Sequence, residues 1–338
     1  MHIYRDTIEI EHAPQIDGLS FRRFLGAEDF PKILAVIDAS IETDKIERVP
    51  TLENLTNQYA HLENCNPRQD MIFAEIYGQV IGFTRGYWWK ESNLGLRYSH
   101  TGLLIPNWRR KGIGTVMLDW IEHHLREIAT AHPAEITKCF QATAFQYQAG
   151  TIGLLERSNY QPIRAFEQMV RPTLDDIPDF ALPDSLSIRA ALPEHYRAIW
   201  NVVEETFQDC WGCAAFTEEF YQAWLANKSH FQPHLWQIAW DDSTNQIIGH
   251  VLTFIDAAEN EQNQRQRGYT EFIGVCRSWR KQGVARALIS RSLQAQNAYG
   301  MTESALGVDT ESLSGANRLY EQCGFKAIIR NLVFSKPL

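Results

Sequence analysis

One short stretch occurs twice in the chain: NWRRKGIGTVML at residues 107–118 and SWRKQGVARALI at residues 278–289. Each places Trp-Arg and a basic residue ahead of a glycine and an aliphatic side chain, and each opens a run with helical spacing. In the first copy Ile113, Met117, Ile121 and Ile128 fall on one helical face; in the second Val284, Ala287 and Leu288 begin a similar face. A glycine ahead of a helix lets backbone approach a ligand closely, because no Cβ intervenes. The first helical turn has N–H groups without intrahelical partners and the positive end of the dipole, so a phosphate is its natural occupant. Neighbouring Arg and Lys add attraction. Neither stretch is G-x-G-x-x-G or G-x-x-x-x-G-K-[ST], so dinucleotide and nucleoside-triphosphate cofactors lack support.

The repetition extends outward from these loops. Ser20-Phe21-Arg22 answers Ser187-Ile188-Arg189, an offset of 187 − 20 = 167. Gln79-Val80-Ile81-Gly82 answers Gln246-Ile247-Ile248-Gly249, again 246 − 79 = 167. Gly112 answers Gly283 (283 − 112 = 171), and the six residues from Leu155 to Tyr160 answer those from Tyr320 to Phe325 (320 − 155 = 165). Four landmarks in one order, with small drifts, indicate a duplicated domain whose loops changed length. The expected division is an N-terminal domain at 1–170, a linker at 171–185 and a C-terminal domain at 186–338. The linker RPTLDDIPDFALPDS holds three prolines and four aspartates, which favour extended and turn conformations.

Each half reads as a short strand, one or two helices (193–208 and 217–227 in the second half), and then strands at 235–240, 247–255 and 269–275. The loop and its helix follow, then a strand at 305–308, a helix at 312–323 and a last strand from Phe325. That order predicts an α/β fold with a mixed sheet. The chain has 338 residues, 44% hydrophobic and 22% charged, as expected of a soluble globular protein. Its net charge of −9 and the lack of a long Lys/Arg run argue against a nucleic-acid partner. No basic start leads into an apolar core, and no apolar stretch approaches the ~20 residues that span a bilayer, so no membrane partner is expected. Six scattered cysteines then suggest reduced thiols in the cytoplasm.

Cys210, Cys213, His230 and His234 spell C-x2-C-x16-H-x3-H, close to zinc-finger spacing with an overlong centre. The residues between the pairs read as a helix, not as a finger's hairpin, and nothing thioredoxin-like surrounds the cysteines, so no metal is expected.

Two segments carry a resemblance to a known family. Val275 to Arg280 followed by Gly283 and Ala285, like Leu104 to Arg109 followed by Gly112 and Gly114, resembles the acyl-CoA pyrophosphate loop of the GNAT acyltransferase superfamily. ALGVDTESLSGANRLYEQCGF, Ala305 to Phe325, resembles that superfamily's last conserved region. The matches span both halves, and the organisation is similar to tandem two-domain GNAT proteins of the mycothiol synthase type. The resemblance implies two tandem GNAT domains and acetyl-CoA as cosubstrate, with an amine of a small molecule as acceptor. It places Arg280, Lys281, Gln282, Gly283, Val284 and Ala285 at the cofactor in the second half. In the first half it places Leu104, Arg109, Arg110, Lys111, Gly112, Ile113 and Gly114 there. Ile273 and Val275 would serve through their backbone, lying along the pantetheine arm as an added strand does.

Direct attack of an amine on a thioester needs a base for the amine proton and an acid for the departing thiolate. The resemblance assigns the acid to Tyr320 and the base, through water, to Glu271. Leu155 stands where the first half would need that tyrosine, so the first half is expected to be degenerate in catalysis. An offset of 171 matches Glu271 to His100 (271 − 171 = 100). Phe207, Asp209 and Trp211 lie where the family lines its acceptor pocket. The other reading is a non-catalytic acyl-CoA-binding or sensing protein, and either a monomer or a homodimer fits the repeat.

Overall fold

The computed structural model describes residues 7–46, 49–91, 95–213, 216–312 and 315–338. In chain order the first elements are β1 (Thr7–Ile8), β2 (Leu19–Arg23), α1 (Phe30–Asp38), α2 (Ile41–Asp44), α3 (Leu52–Ala60) and α4 (Pro67–Asp70). Next come β3 (Met71–Ile76), β4 (Gln79–Glu91), β5 (Gly95–Leu104), α5 (Ile113–Ala129), β6 (Lys138–Phe145), α6 (Ala149–Arg157) and β7 (Gln161–Arg171). The second half repeats the pattern with β8 (Leu186–Arg189), α7 (Tyr196–Phe207), α8 (Glu218–Ala226), β9 (Gln237–Asp241), β10 (Gln246–Phe254) and α9 (Ala257–Gln262). It ends with β11 (Arg267–Val275), α10 (Val284–Ala298), β12 (Glu303–Asp309), α11 (Ala316–Gln322) and β13 (Lys326–Pro337). The expected elements of the second half are all present, although residues 313 and 314 of the expected 312–323 helix lie outside the described residues. Among the described residues no helix is long and apolar enough to cross a membrane.

The chain forms two compact units, Met1–Arg164 with Asn331–Leu338 and Ala165–Arg330. Unit 1 has the strand order β1-β2-β3-β4-β5-β6-β13 and unit 2 the order β8-β9-β10-β11-β12-β7. Both sheets are mixed: β5 with β6 and β11 with β12 are parallel, and the other pairs described are antiparallel. The division differs from the boundaries expected at 170 and 186. Residues 331–337 pair with 139–145 of β6 in unit 1, and residues 166–171 pair with 304–309 of β12 in unit 2. Each sheet is therefore completed by a strand from the end of the other half of the sequence.

The segment 171–185, expected as a linker, belongs to unit 2. Leu174 is buried, and Ile177, Phe180 and Leu182 pack against the same core as Leu288 and Leu293 of α10. Apolar side chains spaced among the prolines and aspartates let an extended segment act as a core strap. On α5 the face of Ile113, Met117 and Ile121 is buried as expected, while Ile128 is only partly covered.

One difference between the sheets bears on the site. Strands β4 and β5 pair without interruption from Gly82↔Leu104 to Glu91↔Gly95. Strands β10 and β11 shift register: His250 pairs with Gly274 but Leu252 with Glu271. Leu252 matches Arg85 (252 − 167 = 85), and Arg85 pairs with Thr101. The offset along this strand is thus 275 − 104 = 171 beyond the shift and 271 − 101 = 170 before it, which makes Phe272 the inserted residue. Its φ of 46° is left-handed, a strain on the order of 1–3 kcal/mol for a bulky side chain.

The bulge corrects one expectation and breaks the side-chain alternation along β11. Glu271 corresponds to Thr101, not His100, and His100 corresponds to Thr270. Strict alternation also fails. Thr270 bonds Gln296 of α10 at 2.7 Å, and Ile273, three residues on, packs against the Val284 and Leu288 cluster beside the same helix. Glu271 therefore does not share a face with Ile273 and Val275 by parity alone.

Deleting residues 331–338 strips β6 of its antiparallel partner and removes buried Val333 and Phe334 from the core. Hydrogen exchange should then show loss of protection at 139–145 with protection at 267–275 retained. Unchanged protection at 139–145 would contradict the strand exchange.

Candidate active site

In each unit the parallel pair stops pairing part way. Strands β5 and β6 are paired from Leu96↔Lys138 to His100↔Ala142, and β11 and β12 only from Arg267↔Glu303 to Tyr269↔Ala305. Beyond those points a gap opens between parallel strands, and peptide groups on its inner edges are available to an extended ligand. The repeated loop stands at the far end of each gap. Arg110 and Lys281 both have φ of 63°, and Gly112 and Gly283 follow with φ of 88° and 86° as N-caps of α5 and α10. No side chain caps either helix. The amides of residues 110–114 and 281–285 meet no acceptor among the described residues. Successive N–H groups in such a turn form an anion-binding nest at the positive end of a helix.

The arginines of the loop make bonds within the protein that the sequence did not reveal. Arg109 donates from Nε to the Leu104 carbonyl at 2.6 Å and clasps Asp44 of α2 with both Nη atoms at 2.6 and 2.8 Å. Arg280 repeats this, donating from Nε to the Val275 carbonyl at 3.0 Å and from Nη1 to Asp209 at 3.2 Å. Asp44 and Asp209 match at 209 − 44 = 165. These guanidiniums tie the loop to the end of the strand. Asp209, expected near the acceptor, is a loop brace that Arg277 also holds, and hydrogen bonds from Arg277 and Arg280 keep its carboxyl below the usual range. Exposed Arg110, Lys111 and Lys281 supply positive charge at the loop surface, with Lys111 4.3 Å above the Trp108 ring. Gln282 folds back onto the Ser278 carbonyl.

In unit 1 these parts bound a cleft of about 330 Å³, whose walls include Leu104, Gly112, Gly114, Thr143, Leu154 and Leu155. Thr101 and His100 also line it. His100 Nε2 is 2.8 Å from the Tyr160 hydroxyl, and Tyr160 is fully buried. The cleft thus has a phosphate turn at one end, an open strand edge along one side, and an apolar inner wall.

Unit 2 carries the groups that unit 1 lacks. Tyr320 on α11 fills the place of Leu155, a wall of the unit 1 cleft. It is 7% exposed, its ring lies 6.4 Å from that of Phe325, and its hydroxyl has no hydrogen bond among the described residues. Burial pushes its pKa up, so the hydroxyl stays protonated at neutral pH. Glu271 is half-buried and fills the place of Thr101, another wall residue. The side chains of Ile273 and Val275 pack into the core, which leaves their backbone, apart from the Val275 carbonyl held by Arg280, for the gap. Val284 is buried beneath the loop and Ala285 packs against the same core. Phe207 lies 5.6 Å from Phe272 at the bulge, and Trp211 lies 6.1 Å from Phe166.

His230 packs on Phe254 at 4.1 Å and His234 on Tyr299 at 5.5 Å. Among the described residues no three His, Cys, Asp or Glu side chains stand together as a metal-binding group. The bulge and buried His250 beside it went unread in the sequence. The signal was there: His250 and Gly274 stand where the first half has Phe83 and Leu103.

Two sheets, each split by a diverging parallel pair with a glycine turn at the mouth, define a protein of two tandem α/β units. The acetyltransferase (GNAT) family model matches residues 35–154 and 196–325, and the chain belongs to that family. It is 24% identical over 242 residues to a mycothiol acetyltransferase of Renibacterium salmoninarum. That match covers 69% of this chain and 65% of the relative, somewhat less than two thirds of the relative's length. A GCN5-related N-acetyltransferase from Sphaerobacter thermophilus superposes with a TM-score of 0.76 at 25% identity, covering 95% of this chain and 96% of that one. A tandem GNAT protein from the clavulanic acid biosynthesis pathway shares the fold, with a TM-score of 0.67 at 16% identity over 94% and 98% of the two chains.

Burial pushes the imidazoles of His100 and His250 down to about 4 from the ordinary value of 6.5. Their folded pKa lies below the unfolded one, so the unfolded chain binds more protons between the two values. Stability is fully present above about pH 6.5 and falls as pH drops toward 4, by up to about 1.4 kcal/mol per pH unit for each histidine. Urea unfolding followed from pH 7.5 to 4.5 should show this decline, and a flat profile would contradict neutral burial of the two rings.

Proposed function

We propose that the protein is a cytoplasmic N-acetyltransferase that moves the acetyl group of acetyl-CoA to an amine of a small molecule, with bond-making in unit 2. The observation that carries this reading is the break in the β10–β11 ladder at Phe272, beside the open strand edge. A bulge takes peptide groups out of the ladder. A backbone N–H freed there can stabilise negative charge developing on the thioester oxygen, a larger effect in a water-poor cleft than in solvent.

The acetyl-CoA fits what is present: acceptor-free amides at 281–285 for the pyrophosphate and a strand edge for the pantetheine. The amine nitrogen forms its bond to the carbonyl carbon as the carbon–sulfur bond breaks. Glu271, through a water, takes the ammonium proton, and Tyr320 gives its proton to the departing thiolate; solvent then restores both. Unit 1 keeps the turn and cleft but has Thr101 and Leu155 in these places and an unbroken ladder. It is read as an acyl-CoA-binding unit without turnover. The likeness to proteins described as acetyltransferases supports the reaction class, and the acceptor is left open.

The unit 1 cleft, complete yet without an acid or a carboxylate, favours a second reading for the whole chain: acyl-CoA binding or sensing without catalysis. The two are separated by turnover. With an amine from a broad panel that releases CoA, Tyr320→Phe should lower kcat by about 10²-fold while the acetyl-CoA KM stays within about threefold. Unchanged kcat removes Tyr320 as the acid. If acetyl-CoA binds and no amine releases CoA, the sensing reading replaces catalysis.

A further inference from the structure

The middle strand of unit 2 holds a histidine that the proposed chemistry does not use. His250 is fully buried in β10, opposite Gly274. Its Nδ1 lies 2.6 Å from the carbonyl oxygen of Phe272. A carbonyl only accepts, so Nδ1 carries the hydrogen, and Nε2 of the neutral ring is left as acceptor. Nε2 lies 3.0 Å from the Thr206 hydroxyl, whose single proton is also within reach of the Val202 carbonyl at 2.9 Å. The bond to Phe272 is therefore the fixed member of the set.

We propose that His250 is a positioning residue: its Nδ1–H pins the inserted, left-handed Phe272 and so sets the backbone that meets the acyl group in unit 2. This rests on unit 2 being the catalytic unit. Three observations converge on it. The bond is made to the one residue that breaks the ladder. Gly274 is required beside it, since a Cβ there would fall 2.5 Å from His250 Nε2 and 2.4 Å from Thr206 Oγ1. The repeat provides the control: unit 1 has Phe83 and Leu103 at the two positions, and its ladder runs straight through. Histidine, glycine and bulge occur together, and all three are absent together.

The reach of two amides separates positioning from mere filling of space. The side-chain nitrogen of asparagine overlays Nδ1 of histidine, whereas that of glutamine overlays Nε2. Wild type, H250N, H250Q and H250F are assayed for acetyl transfer to the same amine, for acetyl-CoA KM and for thermal unfolding. H250N, which restores the donor, should recover kcat to within about threefold. H250Q and H250F should lose about 10-fold to 10²-fold in kcat, the scale of a misplaced reacting group, with KM within about threefold. Equal loss in all three variants, or full kcat in H250F, overturns the proposal. Should H250F fail to fold, the contrast between H250N and H250Q carries the test.

If wild type turns over no amine, the acetyltransferase reading fails, and His250 is judged by crystal structures of H250N and H250Q. A left-handed Phe272 kept in H250N and lost in H250Q supports the positioning role. The same backbone in both overturns it.

Discussion

A parallel strand pair that stops pairing half way leaves a row of peptide groups that the sheet cannot satisfy. Everything at the site depends on that gap being held open at a fixed angle and closed off by the right loop. In unit 2 the hold is Arg280, joined to the Val275 carbonyl at the strand end and to Asp209; in unit 1 it is Arg109, joined to Leu104 and Asp44. With the arginine engaged inside the protein, the glycine at the N-cap is carried to the mouth of the gap. The unpaired amides of the first helical turn then face the same space as the strand edge. A cosubstrate with a pyrophosphate at one end and an amide-bearing arm at the other matches those two features in order.

The two units share this frame and differ in what lies at its inner end. Unit 1 continues its parallel pair one residue further along the first strand, to His100↔Ala142, whereas unit 2 stops at Tyr269↔Ala305. Unit 2 then inserts Phe272, which breaks the ladder next to Glu271, and places a hydroxyl where unit 1 has the methyl groups of Leu155. Duplication supplied two such frames, and a handful of substitutions at one end sets them apart. The residues concerned are few and buried or half-buried, so they change surface character little.

Much of this was legible in the sequence. The repeat, the glycine turns ahead of the two helices, the mixed sheet and the helix faces follow from spacing, glycine placement and hydrophobic period, which are local properties. The exchange of β7 and β13 was not legible, because each strand is equally apolar whichever sheet it completes. The strap at 171–185 was read as a linker from its prolines and aspartates, although Leu174 and Phe180 pointed the other way. The bracing role of Arg109 and Arg280 was not legible, because their partners Asp44 and Asp209 lie 65 and 71 residues away. The bulge was hidden in a one-residue change of offset, 170 against 171, which only the pairing of β10 with β11 locates.

A crystal structure of the full chain with acetyl-CoA tests the division of labour most directly. Two molecules should bind, with their pyrophosphates on the turns at Gly112 and Gly283. Only in unit 2 should the thioester oxygen lie within hydrogen-bond distance of a backbone N–H at 271–273, with the Tyr320 hydroxyl facing the sulfur. Acetyl-CoA bound in unit 1 alone, or a thioester held away from the Phe272 bulge, would contradict it.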